Sequence, residues 1–275
     1  MSDMSDVMDV HAAALKRDVA ATLGERHSRI VDRHARRLLP LVGGGADALT
    51  AKLTEDVQQE LHDTFVDTTW PYCPEHPHHP LWFGEGAWRC TGGGTFVAPL
   101  GALDTGLFAD ALAGVRRGDF SRLAPLFVAR GAAPARILDW HARGMFAGHP
   151  ELLAEALSNA CFVGATDVAS HLTEAGVDVA AGTMTGLDGV HWAANRGQLD
   201  TVRMLLSRGA PLESINMHGT TVLGTAVWSA VNEPRPGHLA IIEALLEAGA
   251  AVGAAGYPSG DADVDRLLER YGASQ

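Results

Sequence analysis

Gly186-Leu-Asp-Gly-Val-His191-Trp-Ala193-Ala194-Asn-Arg-Gly197-Gln-Leu-Asp-Thr-Val202-Arg-Met-Leu205-Leu206-Ser-Arg-Gly209-Ala210 is the stretch that decides how most of this chain folds. It reads as two short helices joined by a glycine turn. Small Ala193 and Ala194 let one first helix lie close to the next, and Val202, Leu205 and Leu206 mark the buried seam of the second helix. Gly209 supplies the left-handed residue that stops that helix. A shift of 33 residues carries Gly164, Asp167, Ala169, Leu172 and Gly176 onto Gly197, Asp200, Val202, Leu205 and Gly209. The same shift carries Gly186 onto Gly219, His191 onto Gly224 and Ala193 onto Ala226. Leu245-Leu246-Glu-Ala-Gly249-Ala250 repeats Leu205-Leu206-Ser-Arg-Gly209-Ala210 after 40 residues, so an insertion lies within Trp228–Pro236.

Self-similarity at this period, with an Ala-Ala pair, a glycine turn and a Leu-Leu-x-x-Gly-Ala ending, resembles the ankyrin repeat. The resemblance implies a mainly α fold: an ankyrin-type helical solenoid of about four repeats within residues 104–275. The openings of the first helices, Asp188-Gly-Val-His191 and Thr221-Val-Leu-Gly224, depart from the family's Thr-Pro-Leu-His. They are therefore expected to be less well capped than the family norm. A weaker copy runs over Phe108–Ala132, with Gly118, Leu123, Leu126, Phe127 and Gly131-Ala132, and 136–149 reads as a degenerate first helix. At the far end Val264, Leu267, Leu268 and Tyr271 form an amphipathic closing helix, with Arg266, Glu269 and Arg270 on its outer side. Cys161 falls on the second Ala of the pair and reads as a small buried residue, and Trp192 as a core residue against the neighbouring repeat.

The family pattern exposes the turn before each first helix and the two positions after the Ala-Ala pair. Carried over residue by residue, these are Met184, Thr185, Leu187, Asn195 and Arg196, then Met217, His218, Thr220, Trp228 and Ser229. Apolar groups there suit a protein partner better than water.

Residues 1–69 read as a helical N-terminal region. Val7, Val10, Ala14, Leu15, Val19 and Leu23 fall at helical spacing, the pattern resumes with Ile30, Val31, Leu38 and Leu41, and Pro40 with Gly43-Gly44-Gly45 ends it. A second helix follows Asp47, with Leu49, Leu53, Val57, Leu61 and Phe65 on one stripe. Two such helices suit either a hairpin or a homodimer. Arg26, Arg29, Arg33, Arg36 and Arg37 form a basic stretch, which serves either an acidic partner or, as the simpler reading, a solvated face paired with the chain's own acids.

Residues 70–103 read as a small Cys/His hairpin module. Prolines forbid a continuous helix over 71–80, and Leu81-Trp82-Phe83 and Ala87-Trp88-Arg89 flank Gly84-Glu85-Gly86 as a hairpin would. Cys73, His76, His79 and Cys90 offer a thiolate and imidazole set for structural zinc, with His78 as an alternative to His79, in a segment with little apolar mass. The set resembles zinc-ribbon and zinc-knuckle modules, although its second half has one cysteine where a ribbon has two. Four protein ligands leave no open position. The competing reading is a proline-rich loop with incidental histidines and unpaired thiols. A Cys–His nucleophile would need an oriented base and an oxyanion site, and no nearby residue marks either.

Acids outnumber bases 33 to 21, for a net charge of −12, which disfavours nucleic acid as a partner. Three cysteines make no disulfide framework, and neither a signal-peptide core nor a membrane-spanning run is present. The chain reads as a cytoplasmic adaptor or scaffold that holds another protein on the concave face of its repeats. The alternative is an enzyme or nucleic-acid-linked regulator that acts through residues 1–100 and uses the repeats for recruitment.

Overall fold

In the computed structural model, which describes residues 2–41, 45–74, 76, 78–127, 135–182 and 184–274, helix α1 spans Ser2–Leu23 and α2 Glu25–Leu38. Gly24 between them has φ +93°, a left-handed position that ends α1 and lets the chain turn back. The expected first helix is thus two helices, packed on each other and on α3, Ala46–Asp63. They belong to the first of two units, Met1–Arg136 and Ile137–Gln275. Met8, Leu15, Val19 and Leu23 of α1, Val31 and Leu38 of α2 and Leu53, Val57 and Leu61 of α3 fill their common core. Three residues of the expected stripes leave it. Val7 and Val10 are 38% and 71% exposed, because the buried face of α1 runs through Met8, His11 and Ala12 instead. Phe65 is 82% exposed at φ 53°, because α3 stops at Asp63.

Two arginines of the basic stretch on α2, Arg33 and Arg37, are paired with acids of α3. Arg33 and His34 bind Glu60, and Arg37 and Lys52 bind Asp56 at 3.1 and 2.7 Å. Asp56 stands one helical turn after Lys52 on α3, so one acid gathers cations from two helices.

The expected hairpin forms from β1 (Trp82–Gly84) and β2 (Ala87–Arg89), paired Trp82 to Arg89 and Gly84 to Ala87. Glu85 (φ 52°) and Gly86 (φ 73°) make the two-residue turn, with both residues left-handed as a tight hairpin requires. A third antiparallel strand, β3 (Phe96–Pro99), extends the sheet in the order β1-β2-β3.

Asp18 ties this sheet to α1. Its carboxylate is 2% exposed and accepts from the Trp88 indole N–H (2.7 Å) and from the backbone N–H groups of Gly101 (2.7 Å) and Leu103 (2.9 Å). Burial pushes the Asp18 carboxyl above the usual carboxylate range, against the pull of those three bonds. Close by, Trp70 donates to Thr22 Oγ1 at 2.7 Å and meets Trp88 edge-on at 5.4 Å. Helix α4 (Leu103–Arg116) lies on β3, and a Cβ at Gly106 would come within 2.5 Å of the Ala98 side chain. The segment after α4 departs from the expected repeat copy. Beyond Gly118, Phe120–Arg122 and Ala124–Leu126 are single 3-10 turns rather than a second α-helix, with Pro125 inside the run. Gly131-Ala132 lie outside the described residues.

In the second unit, α5 (Arg136–Ala142, continuing from the boundary residue) is one short helix that buries Ile137 and Trp140. Three helix pairs follow among the described residues: α6 (Pro150–Val163) with α7 (Thr166–Glu174), α8 (Gly189–Asn195) with α9 (Leu199–Ser207), and α10 (Val222–Asn232) with α11 (His238–Glu247). Gly176, Gly209 and Gly249 close the second helices at φ +93°, +80° and +99°, in the roles their spacing gives them. Ala160, Cys161, Ala193, Ala194 and Ala226 are fully buried where first helices stack, since α6 packs on α8 and α8 on α10. A Cβ at Gly189 would stand 3.0 Å from the Cys161 sulfur, which shows how closely two first helices approach. The openings of α8 and α10, expected to be less well capped, both carry a side-chain cap: Asp188 accepts from the His191 N–H at 3.0 Å and Thr221 from the Gly224 N–H at 3.2 Å. Departure from the family's opening residues therefore costs them no cap. Helix α12 (Ala262–Arg270) follows, capped by Asp261, with Val264, Leu267 and Leu268 buried and Arg266, Glu269 and Arg270 exposed.

Candidate functional site

Two arrangements of side chains stand out, one in each unit. In the second, the turns before α8 and α10 are rigid hairpin-like fingers. Asn216 builds one of them: its Oδ1 accepts from the His218 and Thr220 N–H groups (2.9 and 3.2 Å) while its Nδ2 donates to Thr225 Oγ1 (3.0 Å). Neighbouring fingers are linked by the Met217 N–H, which donates to the Gly186 carbonyl at 2.9 Å. Gly186 (φ +81°) is crowded by the Met217 side chain, which leaves no room for a Cβ there. The tips consequently hold Met184, Ile215 and Met217 more than half exposed.

Beneath the fingers, Leu187, Trp192, Asn195, Arg196, Asn216, His218, Thr220, Thr225, Trp228 and Glu233 line a cavity of about 530 Å³. Its walls are fixed by polar contacts. The Trp192 indole donates to Thr185 Oγ1 at 2.8 Å, and its ring meets Phe162 edge-on at 4.9 Å. The Arg196 guanidinium stacks 4.8 Å from the centre of the same Phe162 ring. Asn195 donates to Ser229 Oγ at 2.9 Å, and its carbonyl lies 3.1 Å from His238 Nε2. Asp188 accepts from His191 Nδ1 (2.8 Å) and Ser214 Oγ (3.0 Å) as well as from the backbone. Burial raises the Asp188 carboxyl, but those bonds outweigh it and hold the group below the usual range. Trp228 stands 52% exposed at the rim.

Six of the ten partner-facing residues expected from the repeat pattern line this cavity: Leu187, Asn195, Arg196, His218, Thr220 and Trp228. Met184 and Met217 stand on the finger tips, and Thr185 holds Trp192. Ser229 is fully buried, its hydroxyl occupied by Asn195, because the turn of α10 that exposes Trp228 points the next residue inward. Leu187 is also buried, at the cavity wall. Trp192 is half-buried and lines the cavity as well as meeting its neighbour. Asn216 and Thr225 join the lining without having been expected there, since their contribution depends on how two repeats stack, and Glu233 joins it from the inserted turn between α10 and α11.

In the first unit, the segment between Tyr72 and Pro80 closes on itself. Tyr72 and Pro80 form a β-bridge, the Cys73 N–H donates to the His79 carbonyl (3.0 Å), and the His79 N–H donates to the His76 carbonyl (2.9 Å). From the sheet side, Cys90 is set by its N–H bond to the Thr95 carbonyl and by the Gly94 N–H, which returns to the Cys90 carbonyl at 2.8 Å. Among the described residues, Cys73, His76 and Cys90 converge, with their donor atoms within 4.8 Å of one another. His76 Nδ1 is 3.7 Å from Cys73 Sγ and 3.3 Å from Cys90 Sγ. Both thiols are fully buried, whereas His76 is exposed. His79 does not join the group; its ring centre lies 6.3 Å from that of His76, nearly perpendicular to it.

No disulfide joins Cys73, Cys90 and Cys161 to one another, and no described helix is long and apolar enough to cross a membrane. No curated protein matches the chain. Residues 157–255 match the family described as Ankyrin repeats (3 copies), so the stacked helix pairs with their fingers are ankyrin repeats, a protein–protein interaction module.

Proposed function

We propose that the protein is a cytoplasmic adaptor or scaffold that holds a protein partner on the finger and first-helix face of its repeats. The observation that carries this reading is the cavity itself: an exposed Trp228 and an immobilised Arg196 share a cleft under exposed Met184 and Met217. Tryptophan and arginine are enriched among residues that dominate binding energy, and a preformed surface loses little entropy on association. The test is site-specific photocrosslinking in cells with full-length protein. A crosslinker at Met217 should capture a defined partner, and combining Arg196→Glu with Trp228→Ala should remove that adduct while the helical circular dichroism is kept. An adduct that survives the double substitution overturns the reading.

A second reading concerns Cys73, His76 and Cys90, which form a set suited to zinc as a structural ion. Two fully buried thiols facing one imidazole fit metal ligation, and their burial leaves a substrate no approach to a nucleophilic sulfur. Three cysteines that form no disulfide with one another also suit a reducing compartment. Elemental analysis of chelator-free protein should find about one zinc per chain; protein with less than about a tenth of that refutes it.

A further inference from the structure

We infer that the groove between α1, the start of α3 and the tip of the hairpin is a second docking site, one that takes a short amphipathic helix of another protein, apolar on one side and flanked by lysine or arginine.

The shape of the groove is the first argument. It encloses about 870 Å³ within the first unit. Val7, Val10 and Ala14 of α1 run along one wall, at the steps of three and four that put them on one face. Ala51 of α3, Phe83 of β1 and Leu100 complete the apolar lining, and both valines are left exposed in it. The floor is fixed: His11 is buried, 2.9 Å from Thr54 Oγ1, and meets the Phe83 ring edge-on at 5.0 Å. From Val7 to Ala14 the wall is about 10 Å long, the length of two helical turns. A docked helix with apolar anchors at helical spacing matches that length.

The second argument is charge. Asp6, Asp47 and Glu85 stand around the apolar lining, which holds no lysine or arginine among the described residues. Glu85 is held by Arg89 at 2.6 Å. Asp6 and Asp47 are exposed and have no basic partner among the described residues. Burial lowers the His11 pKa to about 4, so at neutral pH the floor does not offset them. Arg17 lies against Gly101, past Leu100, and its charge acts on Asp18.

These acids decide between occupants. An anionic membrane surface would be repelled by them. An isologous second copy would bring the same patch to itself, acids against acids. The basic helix of a second copy fits no better, because Val31, Ala35 and Leu38 of α2 are buried in its own core and leave arginines without apolar anchors. A segment that carries both anchors and cations answers both the lining and its rim.

Selection of displayed peptides on the full-length protein tests this. The library fixes apolar residues at helical spacing and leaves Lys, Glu, Gln or Ser free between them. Only peptides retained equally by wild type and by Arg196→Glu/Trp228→Ala are counted, which leaves out the repeat face. They should be rich in lysine over glutamate, and their binding should weaken with added salt. Val7→Gln with Val10→Gln should weaken the best of them about tenfold. Asp6→Lys with Asp47→Lys should weaken it about as much and, in a second selection, turn the preference toward glutamate. Asp6→Asn with Asp47→Asn should give a smaller loss of the same sign. All four positions are exposed, so the helical circular dichroism should be kept. Peptides with no excess of lysine, peptides that bind the valine and acid variants as well as wild type, or a selection that retains nothing overturn the proposal. A wild-type dimer in sedimentation that the valine substitutions split, or pelleting with phosphatidylserine vesicles that they abolish, gives the groove another occupant and overturns it too.

Discussion

Replacing Asp18 by Asn tests how the first unit is held together. The Asp18 carboxylate is the acceptor for three donors from three places in the chain: the Trp88 side chain and the Gly101 and Leu103 amides. Two of them, Trp88 and Gly101, bond the same oxygen, Oδ2, and Leu103 bonds Oδ1. An asparagine fills the same space but has one acceptor oxygen and an NH₂ group that only donates. If the oxygen keeps Leu103, two buried donors face a third donor; if it flips, Leu103 does. Each buried group left unmet costs about 1–3 kcal/mol, so the substitution should destabilise the unit by about 2–6 kcal/mol in the first orientation and about half that in the second. Relief of the buried charge opposes this loss, because burial already lifts the Asp18 carboxyl. The net expectation is therefore a loss of about 1–4 kcal/mol. Urea titration followed by hydrogen exchange at the Gly101 and Leu103 amides reads the first unit without interference from the second. Unchanged protection of both amides in Asp18→Asn, with an unchanged urea midpoint, would refute the claim that this carboxylate joins α1 to the sheet.

Three further expectations follow from burial. Leu205 is fully buried in the repeat seam, so Leu205→Ala should cost about 2–5 kcal/mol; a thermal midpoint equal to wild type would mean that the seam is misplaced. His11 is buried against Thr54, and burial alone lowers its pKa to about 4, so the folded state resists its protonation. Its contribution is intact above the unfolded value of 6.5 and is lost as pH falls toward 4; stability should drop by about 3 kcal/mol across that window, and His11→Gln should flatten the drop seen in urea midpoints between pH 7 and 4.5. Burial, reinforced by the charge of Asp188, pushes the Cys161 thiol up to about 12. Iodoacetamide at pH 8 should therefore leave Cys161 unmodified in the native protein and modify it in urea, as mass spectrometry of the peptide would show.

Periodicity reached far into this protein because a repeat carries its own local requirements. Helix stops at Gly176, Gly209 and Gly249 need a left-handed residue, and stacking needs small groups at Ala193, Ala194 and Ala226, whatever lies elsewhere in the chain. The same logic put a hairpin at Gly84-Glu85-Gly86 and apolar seams along α1 and α3. Caps were harder to read, since Asp188 and Thr221 do the work of the family's threonine from a different opening sequence.

What a helix face meets is decided at longer range. Val10 and Leu15 look alike along the sequence, yet one is exposed and the other buried, because α2 and α3 pack on the face of α1 that carries Leu15. Asp18 finds its donors 70 to 85 residues away, and Cys73 finds Cys90 across a hairpin and a closed loop. Ser229 and Trp228 are neighbours in sequence, but the stacking of α10 on α8 turns one toward Asn195 and leaves the other at the rim. Spacing along the chain was enough to nominate Cys73, His76, His79 and Cys90, but only the folded loop separated three converging donors from the fourth. Helical period and backbone handedness are properties of adjacent residues, so the chain alone determined them; the satisfaction of buried polar groups and the convergence of donors are distances between segments, and those exist only once the core has packed.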